Sequence, residues 1–253
     1  MNSGKNREKQ NLSDRSVYRR RVRADDLVSF QVTVKETDLM ILAEEDLHEE
    51  ARELVLTHRH RLEEYIAGHG EFMTALSPLR EEETAPSIVR LMYRSSVPAG
   101  VGPMASVAGA VAEVVGEELR TRSGEIIVEN GGDVYLAGDR TRVIGIFTAE
   151  SGLGSRLGLR VEPGGGAMGV CTSSGRFGHS LSLGDASTAT VVAPSAALAD
   201  AAATAVGNRV QGREGMERGM DFARSIEGVA GAVIVHQGRV SAWGDLELVS
   251  LEG

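Results

Sequence analysis

The chain contains few of the residues that build covalent or aromatic scaffolds. Its 253 residues include one cysteine, and aromatic side chains make up 4% of the total. A single cysteine excludes an internal disulfide and a zinc site made of several cysteines. No apolar run reaches the ~18 residues of a membrane-spanning helix, so we expect no membrane partner. Because residues 1–23 are polar and lack a hydrophobic signal segment, we expect a cytoplasmic protein.

The charge is distributed unevenly along the chain. Residues 1–24 contain eight Lys and Arg against two Asp and Glu, a net charge of +6. Since the whole chain carries −9, the remaining residues carry −15. A body this acidic repels a phosphate backbone, which argues against nucleic acid as a partner. The composition predicts a disordered polar and basic tail over residues 1–16 and a single domain over 17–253.

The hydrophobic pattern predicts a mixed fold. Apolar and β-branched runs predict strands at 28–34, 39–43, 125–129, 134–136, 143–147, 157–161, 169–172 and 188–193, and a hairpin at 232–243. Helical patterns cover 45–67, 102–119 and 195–206, with Ser195 as the N-cap of the last. Residues 88–95 fit either a helix or a strand. Because strands and helices do not alternate strictly, we expect an α+β fold with a largely antiparallel sheet flanked by helices.

A glycine-containing segment joins two of these predicted strands, and it runs from Glu129 through Asn130, Gly131 and Gly132 to Asp133. Two adjacent glycines allow positive φ angles, which expose backbone N–H groups that can bind a phosphate or carboxylate. Asn-Gly is also the strongest signal for a hairpin turn. Taken alone, the segment is interpreted as a turn.

A second polar segment follows the predicted strand at 169–172. Its residues are Thr172, Ser173, Ser174, Gly175, Arg176 and His179. Hydroxyl and N–H groups suit phosphate oxygens, the arginine can neutralise charge, and the histidine can exchange a proton near neutral pH. The alternative is a polar loop with a capping histidine. The density of reactive side chains favours a functional loop.

The alanine-rich helix predicted after Ser195 carries two oxygen-bearing side chains. Asp200 and Thr204 are four residues apart and therefore lie on one helix face. A carboxylate beside a hydroxyl suits a hard cation such as Mg²⁺ next to a substrate phosphate. Alternatively, Asp200 forms a cap or ion pair and Thr204 bonds its own helix. An unpaired buried carboxylate is costly, which favours the metal interpretation.

The helix at 102–119 carries a stripe of tiny residues. They are Ala105, Ala108, Gly109, Ala112 and Gly116. Such a stripe lets another backbone or a ligand approach closely, and tight packing of the helix on the sheet explains it equally well. A contact within a homo-oligomer is a further alternative.

The remaining reactive residues carry weaker signals. His58 and His60 are two apart on a helix and point in different directions, so we expect both on the surface. Cys171 is interpreted as a small core residue.

Several of these segments, in this order, resemble the ApbE-like flavin transferase superfamily over roughly residues 100–210. From about residue 18 to the end, the chain is more closely similar to an uncharacterised ApbE-related family. The motifs that carry this resemblance are 101–105, 128–133, 171–175, 178–180 and 199–201.

The resemblance implies an α+β fold that binds FAD with Mg²⁺ at its diphosphate. Characterised members of the superfamily transfer FMN from FAD to a protein Thr or Ser, or hydrolyse FAD. By motif, Asp200, Thr204 and a backbone carbonyl near Ala108 would hold the metal. The nucleotide would lie against 130–133 and 172–175. His179 would occupy the position of the catalytic histidine, and together with Asp200 it completes the implied catalytic set.

The chain also departs from the transferase pattern. His179 is followed by Ser180 and Leu181, where the transferases have Asp-Pro. Ala108 stands where they have Lys, and Glu113 where they have Asp. The leading hypothesis is therefore an ApbE-like protein that binds FAD or a related nucleotide diphosphate with Mg²⁺. Its activity would be FMN transfer to an acceptor protein or FAD hydrolysis. The alternatives are a non-enzymatic flavin-binding module, and a role of the small residues in packing and oligomerisation alone.

Overall fold

The computed structural model describes residues 24–146, 157–174, 188–212 and 214–251. The predicted tail at 1–16 lies outside these residues, as do Gly175, Arg176 and His179.

Eleven strands form two sheets within the described residues. The strands are β1 (Val28–Val34), β2 (Thr37–Ala43), β3 (Ile126–Asn130), β4 (Asp133–Ala137), β5 (Arg142–Gly145), β6 (Leu157–Val161), β7 (Ala167–Ser173), β8 (Thr188–Ala193), β9 (Gly231–His236), β10 (Arg239–Gly244) and β11 (Glu247–Ser250). The large sheet has the order β1-β2-β3-β4-β7-β8-β9-β10, and the small one β11-β6-β5. Within each sheet, every pair of neighbouring strands is antiparallel. The predicted α+β fold with a largely antiparallel sheet is therefore confirmed.

Six α-helices and one 3₁₀ helix complete the described fold. They are α1 (His48–Gly68), α2 (Gly70–Thr74), α3 (Ser87–Ala99), the 3₁₀ helix Pro103–Ser106, α4 (Val107–Leu119), α5 (Ala196–Arg209) and α6 (Gly215–Ser225). The ambiguous segment 88–95 is helical. Three elements, α2, α6 and β11, were not predicted because each is short or only weakly apolar.

The large sheet lies between two layers, and this explains its sequence pattern. Ile126, Val128 and Tyr135 pack toward the helices, whereas Ile127, Leu136 and Val170 pack toward the small sheet. Strands covered on both faces carry apolar residues toward both layers, as in the continuous runs 126–128 of β3 and 134–137 of β4. Edge strand β1 has one largely exposed face and alternates instead.

The position predicted for His58 is wrong. Its side chain is 3% exposed, and Nε2 lies 2.7 Å from Glu118 Oε1 on α4. Helix α1 packs against α4 on this face, which buries His58. His60, two residues further on, is 73% exposed as predicted.

Within the described residues, no single helix has both the length and the apolar composition needed to cross a bilayer. Helix α3 and the segment Pro103–Leu119 satisfy those two criteria only as a pair, and the pair is bent by 101°.

Candidate functional site

Helices α4 and α5 touch backbone to backbone at Gly109. A Cβ atom built on Gly109 would lie 2.3 Å from the carbonyl oxygen of Ala196 and 2.8 Å from Cβ of Asp200. Only glycine fits such an approach. The Gly109 N–H donates to Asp200 Oδ2 at 2.9 Å, so the contact also fixes the carboxylate. The tiny-residue stripe therefore serves tight packing at this point.

Ala196, the first residue of α5, contacts α4 on one side and strand β7 on the other. A Cβ atom built on Gly169 would lie 2.3 Å from Cα of Ala196. Ala196 thus sits between two glycines, one from α4 and one from the sheet. Because backbone meets backbone on both sides, α5 has little freedom to shift.

Asp200 and Thr204 are both buried on α5, as the alanines around them predict. They are 9% and 7% exposed. Oδ2 of Asp200 accepts the Gly109 N–H at 2.9 Å, and the Ala108 N–H also interacts with this carboxylate. Burial raises the pKa of Asp200 to about 7, against the opposing effect of the Gly109 and Ala108 N–H groups. An ionised carboxylate buried without a positive charge beside it is costly, and a bound cation would offset this cost.

Asp133, the first residue of β4, lies beside Asp200 on the helix-facing side of the sheet. Its Oδ1 accepts the Thr172 N–H at 3.3 Å, and it interacts with Cys171. Burial raises its pKa well above the ordinary value, and the negative charge of Asp200 adds to this. Among the described residues, no Lys, Arg or His forms an ion pair with either carboxylate. Burial therefore disfavours the charged form of both carboxyl groups, and a cation bound beside them would stabilise that form.

The segment between β3 and β4 is a tight turn that reaches α4. Gly131 and Gly132 have φ angles of +65° and +106°, as the double glycine predicts. The Gly132 N–H donates to Glu129 Oε1 at 2.8 Å, so this group is already satisfied within the turn. Asn130 Nδ2 donates to the Ala108 carbonyl at 3.0 Å. The turn thus places Asn130 and Asp133 near the start of α4.

The hydroxyl-rich end of β7 divides between the two sheet faces. Thr172 Oγ1 pairs with Thr190 Oγ1 at 2.9 Å. Ser173 faces α5, since its Oγ would lie 3.6 Å from a Cβ built on Gly207. Neighbouring residues on a strand point to opposite faces, so the Thr172 side chain lies away from Asp200. Ser174 ends the described part of this segment.

Glu113 caps α5 from the neighbouring helix. Its Oε2 accepts the Ser195 hydroxyl at 2.7 Å and the Ala197 N–H at 2.9 Å. Ser195 Oγ in turn accepts the Leu198 N–H, which confirms the predicted N-cap. Burial raises the pKa of Glu113, while these hydrogen bonds oppose the shift. One signal for this contact was present in the sequence, the i, i+4 spacing that puts Gly109 and Glu113 on one helix face.

The donor set fits Mg²⁺ better than a transition metal. Asp200, Thr204 and the Ala108 carbonyl supply only oxygen atoms, which hard cations prefer. No group of three or more His, Cys, Asp or Glu in the described ranges is arranged to hold a metal ion. A cation at Asp200 would thus rely on waters or a bound phosphate for its other ligands, as Mg²⁺ commonly does.

Comparison with known proteins agrees with this architecture. A family model described as AbpE bacteria matches residues 19–239. The chain belongs to this family. The UPF0280 protein of Methanopyrus kandleri is 40% identical over 235 residues, covering 90% of this chain and 95% of the relative. The UPF0280 protein of Methanosarcina acetivorans is 37% identical and covers 90% of each chain.

Two solved structures share the fold of this AbpE-family chain. The flavinyl transferase ApbE of Pseudomonas stutzeri, in its apo form, aligns with a TM-score of 0.51 at 15% identity, covering 92% of this chain and 96% of that one. The ApbE protein of Thermotoga maritima gives 0.52 at 14% identity, covering 87% and 96%. At these identities the similarity establishes the fold alone.

The structure brings together most of the described residues that the sequence singled out in this AbpE-family chain. Asp200, Ala108, Asn130 and Asp133 are joined by direct hydrogen bonds or charge interaction. The resemblance places both Asp133 and Asp200 at one site, but no local spacing links residues 67 positions apart, and the structure shows the direct charge interaction between them. Cys171 is fully buried and donates to the Ala196 carbonyl, in agreement with its interpretation as a core residue.

Proposed function

We propose that this protein binds FAD or a related nucleotide diphosphate together with Mg²⁺ at the Asp200 site. The observation that carries the proposal is a pair of buried, interacting carboxylates, Asp200 and Asp133, which form no ion pair with a basic side chain among the described residues. The buried Thr204 hydroxyl lies on the same helix face as Asp200. The shared fold with a flavinyl transferase supports the flavin part of the proposal.

The proposed reaction is phosphoryl transfer at the FAD diphosphate. A hydroxyl oxygen of an acceptor protein, or of water, forms a bond to the FMN phosphorus. The bond from that phosphorus to the bridging oxygen breaks, AMP leaves with that oxygen, and the hydroxyl proton passes to a base. Asp200, Thr204 and the Ala108 carbonyl would hold Mg²⁺, which when bound would supply stabilisation of the negative charge that develops on the phosphate oxygens.

The protein's own residues hold and orient these groups. Asp200, Thr204 and the Ala108 carbonyl supply the metal ligands, and the Gly109 N–H keeps Asp200 in one orientation. Asn130 holds the Ala108 carbonyl from the other side. The resemblance assigns the proton transfer to His179 and places the nucleotide along 130–133 and 172–175. These residue roles stay predictions.

Substituting Asp200→Asn tests the proposal directly. The amide keeps the size of the side chain but removes the charge that binds the cation, so FAD-dependent AMP release with Mg²⁺ should fall at least 100-fold. AMP is measured by chromatography after incubation with FAD, Mg²⁺ and either water or added acceptor protein. Asp221→Asn, which changes an exposed aspartate on α6, should keep wild-type activity.

Two outcomes would count against this proposal. Absence of both FAD binding and AMP release in the wild-type protein would contradict it completely. FAD binding with no turnover, unaffected by His179→Ala, would instead select the binding-module alternative. The replacement of the Asp-Pro segment after His179 by Ser180 and Leu181 favours that alternative.

A further inference from the structure

We propose that Glu113 is a positioning residue that sets where Asp200 and Thr204 lie relative to Ala108. This inference rests on the proposed function for its catalytic consequence, but its structural part stands independently. Glu113 is not among the metal ligands and acts through the two helices that carry them.

Two sets of contacts join α4 and α5 at successive turns, and we call each set a rung. On one rung, Gly109 donates to Asp200 Oδ2 at 2.9 Å. On the other, Glu113 Oε2 accepts from Ser195 Oγ at 2.7 Å and from the Ala197 N–H at 2.9 Å. Gly109 and Glu113 are one helical turn apart on α4, and their partners are about one turn apart on α5. Two rungs at this spacing resist both sliding and rotation of one helix against the other.

The second rung differs from an ordinary N-cap because it crosses between elements. Ser195 alone already accepts the Leu198 N–H, so α5 has a local cap without Glu113. The Glu113 carboxylate adds a fixed distance from α4 to the first turn of α5. Its negative charge is also favourable at a helix N-terminus. Because α4 carries Ala108 and α5 carries Asp200 and Thr204, this distance determines the geometry of the proposed metal site.

The test uses ¹⁵N-labelled full-length protein and two measurements. The first follows the amide resonances and hydrogen exchange of Gly109 and Ala197 without added ligand. The second measures Mn²⁺ affinity by electron paramagnetic resonance, with Mn²⁺ as the probe for Mg²⁺. Glu113→Ala should shift both amide resonances and weaken Mn²⁺ binding by roughly tenfold, the effect expected for loss of an outer-shell contact. Glu113→Gln keeps an oxygen acceptor and should restore most of both signals.

A matched control separates positioning from general loss of stability. Val55→Ala truncates a fully buried residue on α1, far along the chain from both rungs. It should lower the melting temperature yet leave Mn²⁺ affinity and the Gly109 resonance unchanged.

Each possible result either supports or refutes the positioning role of Glu113. An unchanged Gly109 resonance in Glu113→Ala, or equal weakening of Mn²⁺ binding by Val55→Ala, would overturn the positioning role. If wild type binds no Mn²⁺, the proposed function fails, while the two amide resonances still decide whether Glu113 sets the helix geometry. If Glu113→Ala does not fold, Glu113→Asp replaces it. An unshifted Gly109 resonance in that shorter variant would equally refute the proposal.

Discussion

Gly109 has a hydrogen atom in place of a side chain, and this determines how closely α4 approaches α5. Gly109 lets the carbonyl of Ala196 and the Cβ of Asp200 come closer than any other residue permits. The same contact presents the Gly109 N–H to the Asp200 carboxylate. At this position, therefore, packing and the proposed chemistry depend on the same residue.

We expect Gly109→Ala to destabilise the fold. The added methyl group would meet backbone atoms, which cannot move aside as a flexible side chain can, and such overpacking costs about 1–3 kcal/mol in the free energy of unfolding. Alanine's better helix propensity, worth up to about 1 kcal/mol, offsets part of this cost. Urea denaturation measures the difference.

The control for this prediction is Gly68→Ala. A Cβ built on Gly68, the last residue of α1, meets no atom within 4 Å. This variant should be at least as stable as wild type. Equal stability of the two variants would show that the α4–α5 contact can open at no cost.

At the scale of whole elements, a polar contact joins helices α1 and α4 within an otherwise apolar interface. His58 on α1 is nearly inaccessible and lies against Glu118 on α4. The periodicity of α1 predicts which face of the helix is apolar, but it does not predict that the polar side chain of His58 is buried on that face. Its burial depends on a helix 60 residues further along the chain.

His58→Ala should lower the free energy of unfolding by about 1–3 kcal/mol, since it leaves a buried space and removes the partner of Glu118. His60→Ala on the same helix changes an exposed side chain and should stay within about 0.5 kcal/mol of wild type. Thermal or urea denaturation of the pair provides the comparison. Similar losses in both variants would mean that helix propensity, and not burial, determines the effect.

At the scale of the whole molecule, an ion-pair network joins the start of the described chain to both sheets. Arg142 on β5 is buried, and it contacts Asp26 at 2.6 Å and Glu125 at 2.7 Å. Glu125 precedes β3 and also accepts the N–H groups of Asp139 and Arg140. The network therefore holds the small sheet, the large sheet and the segment before β1 in one arrangement.

This network should make stability depend on pH in the acid range. Hydrogen bonds from Arg142 lower the pKa of Asp26 from 3.8 to about 2. A carboxyl group with a lower pKa in the folded state stabilises the protein above its ordinary pKa. That contribution should be lost as the pH falls from about 4 toward 2. Asp26 is one-third exposed, so solvent screening keeps the effect modest.

The measurement is the difference in unfolding free energy between wild type and Asp26→Asn across this range. The difference should be largest near pH 5 and should shrink as the pH is lowered. A difference that stays constant with pH would show that Asp26 contributes through packing instead of charge.

Much of the fold could be predicted because it depends on local patterns. The strands at 28–34, 157–161 and 188–193 have the predicted bounds, since strand patterns ended at clear turn residues. The cap at Ser195 followed from its residue type. By contrast, β11 is a four-residue strand held by pairing with the distant β6, which no local pattern records. Helix α6 has an amphipathic pattern that the sequence analysis did not use.

The amino-acid sequence by itself determined the class of the fold, the family motifs, and the pairing of Asp200 with Thr204 on one helix face. These follow from the periods of helix and strand, which are local properties of the chain. Only the tertiary structure decided that Asp133 lies beside Asp200, that Thr172 points away from it, and that Glu113 spans two helices. Those contacts join residues far apart in the chain, and they depend on how close the glycines allow the backbones to approach.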